Sequence, residues 1–176
     1  MRKLSHEQLV SRQEVRVPRL PFTVVLNNVR SLYNVGSVFR TADAAGVEKI
    51  WLCGITGILP DPKIAKTALG AEKEVPWEFC ADARDCVEKL KKEGYQIVLL
   101  EQTDKSVFYE DFEPAEKLCL VLGHETGGIS ESLLDLADAA VEIEMSGLKN
   151  SLNVTVAFGI AAYHFRSTFK KRLGIA

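Results

Sequence analysis

The stretch L-V-L-G-H-E-T-G-G-I-S at 120–130, followed by I-E-M-S-G-L-K-N-S-L-N-V at 143–154, decides how this chain is expected to fold. In each stretch a short apolar strand runs directly into glycine and small polar residues. Open α/β sheets place their ligands at the loops that follow the carboxyl ends of buried strands. Two such loops close together in the chain therefore predict one shared pocket. A third stretch of the same character, N-V-R-S-L-Y-N-V-G-S-V-F-R, lies at 28–40.

Working outward from these loops, short apolar runs alternate with segments of helical spacing, and Gly or Pro separates many of them. The predicted strands are 22–26, 49–53, 97–100, 118–122 and 140–143. The predicted helices are 34–45, 63–69, 81–93, 131–137 and 151–169. This alternation predicts an α/β fold with a mostly parallel sheet and helices on both faces.

Composition narrows the class of protein. The chain has 176 residues, 47% of them hydrophobic, which fits one domain with a real core. We expect residues 1–20 to form a basic arm or short helix and 21–176 to form the domain. No run is long and apolar enough to span a membrane, and residues 1–11 lack the apolar centre of an export signal. A cytoplasmic protein without a membrane partner is expected.

Several catalytic classes lack their sequence signatures. The four cysteines form no C-x-x-C pair and the three histidines have no metal-ligand spacing, so reduced cysteines and no metal are expected. The glycine-rich stretch at 123–128 is not followed by Lys-Ser or Lys-Thr, as a phosphate-binding P-loop would be. There is also no G-x-G-x-x-G dinucleotide fingerprint and no G-x-S-x-G nucleophile elbow.

Charge is distributed unevenly along the chain. The net charge is −2 and the isoelectric point about 6.0, which by itself does not favour nucleic acid. Both ends are nevertheless basic, and no acidic residue follows Glu144. The basic residues of the C-terminal end are Lys149, Arg166, Lys170, Lys171 and Arg172. Each end alone could be a solvated tail, whereas together they could frame a phosphate-binding surface.

Five polar residues in the three stretches are candidates for chemistry, and each also has an ordinary structural explanation. Asn34 lies at the predicted N-cap of the first helix, and Arg40 follows six residues later, nearly two turns on. Glu125 lies in a turn rich in glycine and could be solvated, or could orient Arg40 or a substrate group. Ser151 and Asn153 begin the last predicted helix and could serve only as caps. Their combination in one order along the chain favours a shared function.

That order resembles the SpoU family of RNA ribose methyltransferases, the TrmH-like branch of the SPOUT superfamily. The family's three motifs are matched by N-V-G-S-V-F-R-T-A-D at 34–43, L-G-H-E-T-G-G-I-S at 122–130 and I-E-M-S-G-L-K-N-S-L-N-V at 143–154. K-T-A-L-G-A at 66–71 is similar to the family's middle segment. The resemblance covers about 22–166. Glu144 stands where the family motif has proline, which removes a fixed φ and adds a charge.

The resemblance implies a deep trefoil knot in the C-terminal half, although knots are rare. It also implies a homodimer and a pocket for S-adenosyl-L-methionine formed by the knot loops. The implied cofactor-binding residues are Leu100, Glu101, Leu122, Gly123, Ile143, Met145 and Leu152. No metal is implied.

The implied reaction is methyl transfer to a ribose 2′-hydroxyl of tRNA or rRNA, with Arg40, Asn34, Glu125, Ser151 and Asn153 as the catalytic set. The family role proposed for the arginine is that of a base. A guanidinium keeps its proton in proteins, so binding a phosphate and stabilising a developing oxyanion suit Arg40 better. Arg40, Lys149, Lys170, Lys171 and Arg172 are the predicted RNA-binding residues.

Two alternatives differ from this interpretation. One is a SPOUT-fold RNA-binding protein without turnover, which the presence of Arg40, Glu125 and Asn153 disfavours. The other is an RNA methyltransferase that acts on a base. Because the chain carries an arm rather than an added N-terminal RNA-binding domain, tRNA is favoured over rRNA as the substrate.

Overall fold

The computed structural model describes residues 3–5, 7–8 and 18–175. The arm predicted over 1–20 lies largely outside the described residues. The strands of the described part are β1 Leu20–Asn27, β2 Val47–Cys53, β3 Trp77–Cys80, β4 Gln96–Leu100, β5 Val107–Phe108, β6 Leu118–Leu122 and β7 Ala139–Glu142. They form one sheet in the order β3-β2-β1-β6-β4-β7-β5, and all of its strand pairs are parallel. The predicted parallel α/β sheet is confirmed.

Six helices lie within the described residues between Leu32 and Leu173, five of them between strands and one after the last strand. They are α1 Leu32–Ala45, α2 Pro62–Ala68, α3 Ala71–Glu74, α4 Ala83–Lys92, α5 Glu131–Leu134 and α6 Val154–Leu173. Side-chain caps explain several of their starts: Asp61 accepts from the amides of Lys63 and Ile64, and Asp82 from that of Arg84. Gly46 ends α1 in the left-handed conformation at φ 75°, which favours glycine.

Two apolar layers cover the two faces of the sheet, because successive strand residues point to opposite sides. Val24 and Leu26 of β1 belong to the layer that contains residues of α1 and α6, including Phe39 and Phe165. Val25, between them, belongs to the layer that contains residues of α4 and α5. Helices therefore lie on both faces, as predicted.

Three cysteines are buried in the second layer. Cys53, Cys86 and Cys119 are buried free thiols, and Cys80 is partly exposed. A hydrogen bond with Cys53, together with burial, raises the pKa of Cys86, and burial raises the pKa of Cys119. The expectation of reduced cysteines agrees with their placement in an apolar core.

Three sequence-based boundaries need correction, and two strands were missed. Ser31, not Asn34, caps α1; its hydroxyl accepts from the Asn34 amide. The helix predicted over 131–137 ends at Leu134, and the last helix begins at Val154, after Ser151. Strands β3 and β5 were not predicted. Both are edge strands of four and two residues, and their residues are mostly exposed, so they lack the apolar pattern of a central strand.

Among the described residues, no helix has both the length and the hydropathy needed to cross a membrane.

Candidate functional site

A cleft of about 480 Å³ lies at the carboxyl ends of β4, β6 and β7. This volume falls within the range of about 300–1,000 Å³ that is usual for small-molecule sites. The seven residues predicted to bind a cofactor all line it: Leu100, Glu101, Leu122, Gly123, Ile143, Met145 and Leu152. The structure thus brings together the loops that the sequence placed at separate strand ends.

Glu101, directly after β4, fastens the glycine-rich loop to the floor of the cleft. Its Oε2 accepts from the amide of Ile129 at 3.0 Å, and its Oε1 accepts from the amide of Gln102 at 3.0 Å. A Cβ on Gly128 would lie 2.5 Å from Oε2, and Gly128 has φ +65°. Glycine at 128 is therefore required both by the close approach of this carboxylate and by the backbone conformation.

Gln102 holds the loop at 146–153 against the carboxyl end of β4. Its Nε2 donates to the carbonyl of Asn150 at 2.9 Å. Two neighbouring residues after β4 thus hold two different walls of the cleft, at 123–129 and at 146–153. Neither periodicity nor a motif in the sequence singles out Gln102, and its hydrogen bond to Asn150 was not predicted.

His124 shapes the turn that carries Glu125. Its Nδ1 accepts from the amides of Thr126 and Gly127, both at 3.1 Å. The backbone of His124 also pairs with that of Gly128 in both directions at 3.0 Å. The turn is therefore ordered by its own residues, and Glu125 projects from its tip.

Glu125 reaches the start of α1. Its Oε1 accepts from the Ser31 amide at 2.9 Å and from Asn34 Nδ2 at 3.0 Å, and its Oε2 accepts from the Arg30 amide at 3.2 Å. Partial burial by itself raises the pKa of this carboxyl, but the hydrogen bonds together outweigh it, so the pKa is lowered from its ordinary value. Glu125 is thus held as a carboxylate.

Asn153 completes a chain of three polar side chains. Its Oδ1 caps α6 by accepting from the Thr155 amide at 2.9 Å, and its Nδ2 donates to Asn34 Oδ1 at 3.4 Å. Asn34 therefore connects Glu125 on one side with Asn153 on the other. Ser151 is exposed and lines the cleft next to this network.

Arg40 lies apart from the other predicted catalytic residues. It is exposed on α1, and the described part of the chain offers its guanidinium no ion pair or hydrogen bond. Glu125 therefore orients Asn34 and the start of α1, and the expected contact with Arg40 is absent from this structure. The guanidinium is free to meet an anionic ligand.

A buried polar cluster behind the site was also not predicted from the sequence. Asn27 is only 2% exposed, and its Nδ2 donates to Ser130 Oγ at 3.0 Å. Asn28, at φ 62°, donates to Asn27 Oδ1 at 3.0 Å and accepts from the Ile55 amide. These bonds join the end of β1 to the loops after β2 and β6. Two asparagines directly after an apolar strand were the available signal.

The predicted RNA-binding lysines and Arg172 differ in their surroundings. Lys149 is exposed in the loop that borders the cleft, and Lys171 is exposed near the end of α6. Lys170 is half-buried. The Arg172 guanidinium instead pairs with Glu113 at 2.8 Å and donates to the carbonyls of Pro114 and Ala115. Arg172 thus fastens the end of α6 to residues 113–115.

The described residues contain no group of three or more His, Cys, Asp or Glu side chains arranged to hold a metal ion.

Fold and site together define a parallel α/β protein with a ligand cleft at the carboxyl ends of its strands and a polar network on the rim. Residues 21–163 match the family model described as the SpoU rRNA Methylase family. The chain belongs to this family.

Individual relatives agree with this membership. The chain is 31% identical over 144 residues to the tRNA (guanosine(18)-2′-O)-methyltransferase of Escherichia coli K12, an alignment that covers 80% of this chain and 61% of the relative. The curated relatives that match first are covered over only 63%, 60% and 61% of their own length.

Two solved structures share the fold. The TrmH/SpoU tRNA modifying enzyme of A. aeolicus superposes with a TM-score of 0.82 at 26% identity, covering 96% of this chain and 85% of the other. An AdoMet-bound rRNA methyltransferase from Sinorhizobium meliloti superposes with a TM-score of 0.79 at 28% identity, covering 88% and 59%.

Proposed function

We propose that this chain is an RNA methyltransferase that uses S-adenosyl-L-methionine to methylate a ribose 2′-hydroxyl. The observation that carries the proposal is the Glu125–Asn34–Asn153 network on the rim of a cleft lined by the seven predicted cofactor-binding residues. The names of the relatives, which include a tRNA 2′-O-methyltransferase and an AdoMet-bound methyltransferase, support it.

The cleft fits the proposed cofactor chemically. Leu100, Leu122, Ile143 and Leu152 give it apolar walls suited to a flat purine ring. The Glu101 carboxylate at its floor is already used by two backbone amides, so polar recognition falls mainly to the loops' main chain. When bound, S-adenosyl-L-methionine supplies an electrophilic methyl group on a sulfonium that leaves as a neutral thioether, so no metal is required.

The chain's own residues then position the nucleophile. We propose that Arg40 binds the phosphate next to the target ribose. It also stabilises the negative charge that develops on the 2′-oxygen. Asn34, Ser151 and Asn153 offer hydrogen-bonding groups for the ribose, and Glu125 keeps Asn34 in place. The hydroxyl proton leaves to solvent as the oxygen bonds to the methyl carbon. Holding the two reactants in line supplies much of the rate enhancement.

Calorimetry tests the cofactor. We expect S-adenosyl-L-methionine and its demethylated product to bind, with affinity unchanged by a chelator. Absence of heat with both compounds, or binding abolished by chelation, contradicts the proposal.

The RNA substrate can be identified from the methylated nucleoside that is absent from the RNA of a deletion strain. We propose tRNA as the substrate, which the name of the E. coli relative supports. Mass spectrometry of nucleosides from a deletion strain should show the loss of one 2′-O-methyl nucleoside from tRNA. Loss of a nucleoside from rRNA alone would show that the substrate is rRNA. Loss of a base-methylated nucleoside would show that the enzyme methylates a base and not a ribose.

A homodimer is also proposed. Along α6 the apolar side chains Val156 and Tyr163 are each 50% exposed, and Leu152 and Leu148 extend this exposed apolar surface into the loop before it. Monomers rarely leave such a surface open. Sedimentation at micromolar concentration should give twice the chain mass of 19.5 kDa. A stable monomer contradicts the dimer.

We further propose a domain over 21–176, preceded by a basic arm at 1–20, and a trefoil knot in its C-terminal half. The match of residues 21–163 to the SpoU family model supports the knot.

A further inference from the structure

The exposed side of α1 presents an aromatic ring beside the candidate active site. Tyr33, Ser37 and Arg40 are spaced i, i+4 and i+7, so they share one side of the helix. Tyr33 is 46% exposed. Its backbone carbonyl accepts from Ser37 Oγ and Thr67 Oγ1, both at 2.9 Å, whereas its ring has no hydrogen bond or aromatic contact in the described part of the chain. The ring is therefore open to a ligand.

Helix α2, which carries Lys63 and Lys66, packs against α1 beside Tyr33. The helices touch at Gly36, where an added Cβ would overlap the Ile64 carbonyl and Thr67 Oγ1. On α2, Lys63 lies one turn before Thr67 and so on its side of the helix, and Lys66 is the i+3 neighbour of Lys63. Because the Thr67 hydroxyl bonds to the Tyr33 carbonyl, Lys63 extends from the side of α2 that borders Tyr33, and Lys66 lies next to Lys63.

The positive charge of this surface is not balanced by ion pairs. Lys63, Lys66 and Arg40 are exposed and form none with described residues. A minority of the described cations do, as in the pairs Lys49–Glu78, Lys91–Asp138 and Arg172–Glu113. Asp61, the cap of α2, accepts from the amides of Lys63 and Ile64 and forms no ion pair with these three cations among the described residues. The surface therefore suits a polyanion.

The other border of this surface is the candidate active site. Asn34, one residue after Tyr33, turns away from α2 and donates to Glu125 at 3.0 Å. Tyr33, Arg40, Lys63 and Lys66, here called the α1–α2 strip, thus run from the rim of the cleft to α2. An aromatic ring among cations is the combination that binds single-stranded nucleic acid.

We infer that the α1–α2 strip binds an unpaired RNA segment. The base next to the methylated nucleotide stacks on Tyr33, and the following phosphates lie at Lys63 and Lys66. This deepens the proposed function and rests on it, because it defines the substrate class as RNA whose target lies in a loop, bulge or end. A base inside a continuous duplex has both faces covered by its neighbours and cannot stack on a side chain.

Binding to two labelled RNAs tests the inference: a fluorescein-labelled oligouridylate and a duplex of equal length, titrated with full-length protein. Wild type should prefer the single strand. Tyr33→Ala should weaken single-strand binding about fivefold or more, and Tyr33→Phe should retain it. The combined change Lys63→Ala with Lys66→Ala should reduce the salt slope by roughly 0.7 for each phosphate that is no longer neutralised.

Matched controls lie on other parts of the chain. Phe79→Ala removes an aromatic ring of similar exposure, 50%, from edge strand β3, and Lys92→Ala removes an exposed lysine from α4. Both should bind RNA like wild type. Cofactor affinity and melting temperature should be unchanged in Tyr33→Ala, because only the backbone of Tyr33 bonds to the protein.

The outcomes separate this inference from the proposed function. Equal effects of Tyr33→Ala and Phe79→Ala, or preference for the duplex, overturn the α1–α2 strip even if methyl transfer to total tRNA is intact. Binding that depends on Tyr33 without methyl transfer to any cellular RNA supports the strip and overturns the function. Wild type that binds neither RNA overturns the strip, and methyl transfer to total tRNA then decides the function separately.

Discussion

Glu125 Oε1 and Asn34 Nδ2 lie 3.0 Å apart, although 91 positions separate these residues in the chain. This bond joins the tip of the glycine-rich turn to the first turn of α1. Asn34 cannot rotate freely while Glu125 holds its amide nitrogen, so its Oδ1 stays turned toward Asn153. The relation between the two residues therefore sets the orientation of the polar rim on which the proposed chemistry depends.

Arg40→Ala is expected to abolish methyl transfer and leave folding and cofactor affinity unchanged, because its guanidinium has no partner within the described residues. Arg40→Lys separates the possible roles. If the planar guanidinium hydrogen-bonds to phosphate and ribose together, the Arg40→Lys variant should regain little of the wild-type rate. If Arg40 acts as a base, activity of the Lys variant should rise as pH approaches the lysine pKa. Single-turnover rates across pH make the measurement, and full activity in Arg40→Ala contradicts the mechanism.

Glu125→Gln is expected to remove part of the protein's acid sensitivity. The folded-state pKa of Glu125 is lowered, so its carboxylate stabilises the fold above the ordinary pKa, and this contribution is lost as pH falls through the lowered value. Melting temperature measured from neutral pH to about pH 3 should therefore fall less steeply in Glu125→Gln than in wild type. Glu116→Gln, at an exposed carboxylate without a hydrogen bond in the described structure, is the control and should follow wild type.

Glu101→Ala is expected to weaken S-adenosyl-L-methionine binding by about tenfold, since the amides of Gln102 and Ile129 lose their acceptor and both cleft loops loosen. Calorimetry gives the affinity directly. Glu131→Gln, which neutralises an exposed carboxylate at the start of α5, should bind the cofactor like wild type. Equal affinities of Glu101→Ala and wild type would show that the loops keep their shape without this carboxylate.

Of the C-terminal cations, Lys170 and Lys171 are expected to contribute to RNA binding and Arg172 to the stability of the fold. Lys170→Ala combined with Lys171→Ala is expected to lower the salt dependence of tRNA binding, because fewer counterions are released. Arg172→Ala should instead lower the melting temperature, since Arg172 bonds to Glu113, Pro114 and Ala115. Salt titrations and thermal melts of both variants measure this. A salt slope unchanged by the lysine substitutions would mean that the end of α6 is only solvated.

The central strands could be predicted because their residues are apolar on both faces, as Leu118–Leu122 illustrates. Edge strands could not. Trp77–Cys80 and Val107–Phe108 are short and largely exposed, and they become strands only because β2 and β7 present free edges to them. That information lies in the tertiary arrangement and not in the local pattern.

Site residues that belong to a sequence motif could be predicted. Residues whose part in the site depends on one tertiary contact could not. All seven cofactor-binding candidates line the cleft, yet the sequence did not indicate that Gln102 would meet Asn150 or that Asn27 would be buried against Ser130. The cap of α1 was misassigned because Ser31 and Asn34 are both favourable caps, and only the backbone conformation distinguishes them.

Three buried thiols lie in the layer between α4 and the sheet, so their alkylation would report the opening of that layer. Alkylating reagents react with thiolates, so Cys53, Cys86 and Cys119, buried and with the pKa values of Cys86 and Cys119 raised, are shielded while that layer stays closed. Iodoacetamide should therefore add one mass increment first, at Cys80, because it is partly exposed even though burial raises its pKa as well, and the remaining three at the rate at which α4 separates from the sheet. Intact-mass spectrometry over time would read that rate without any engineered label.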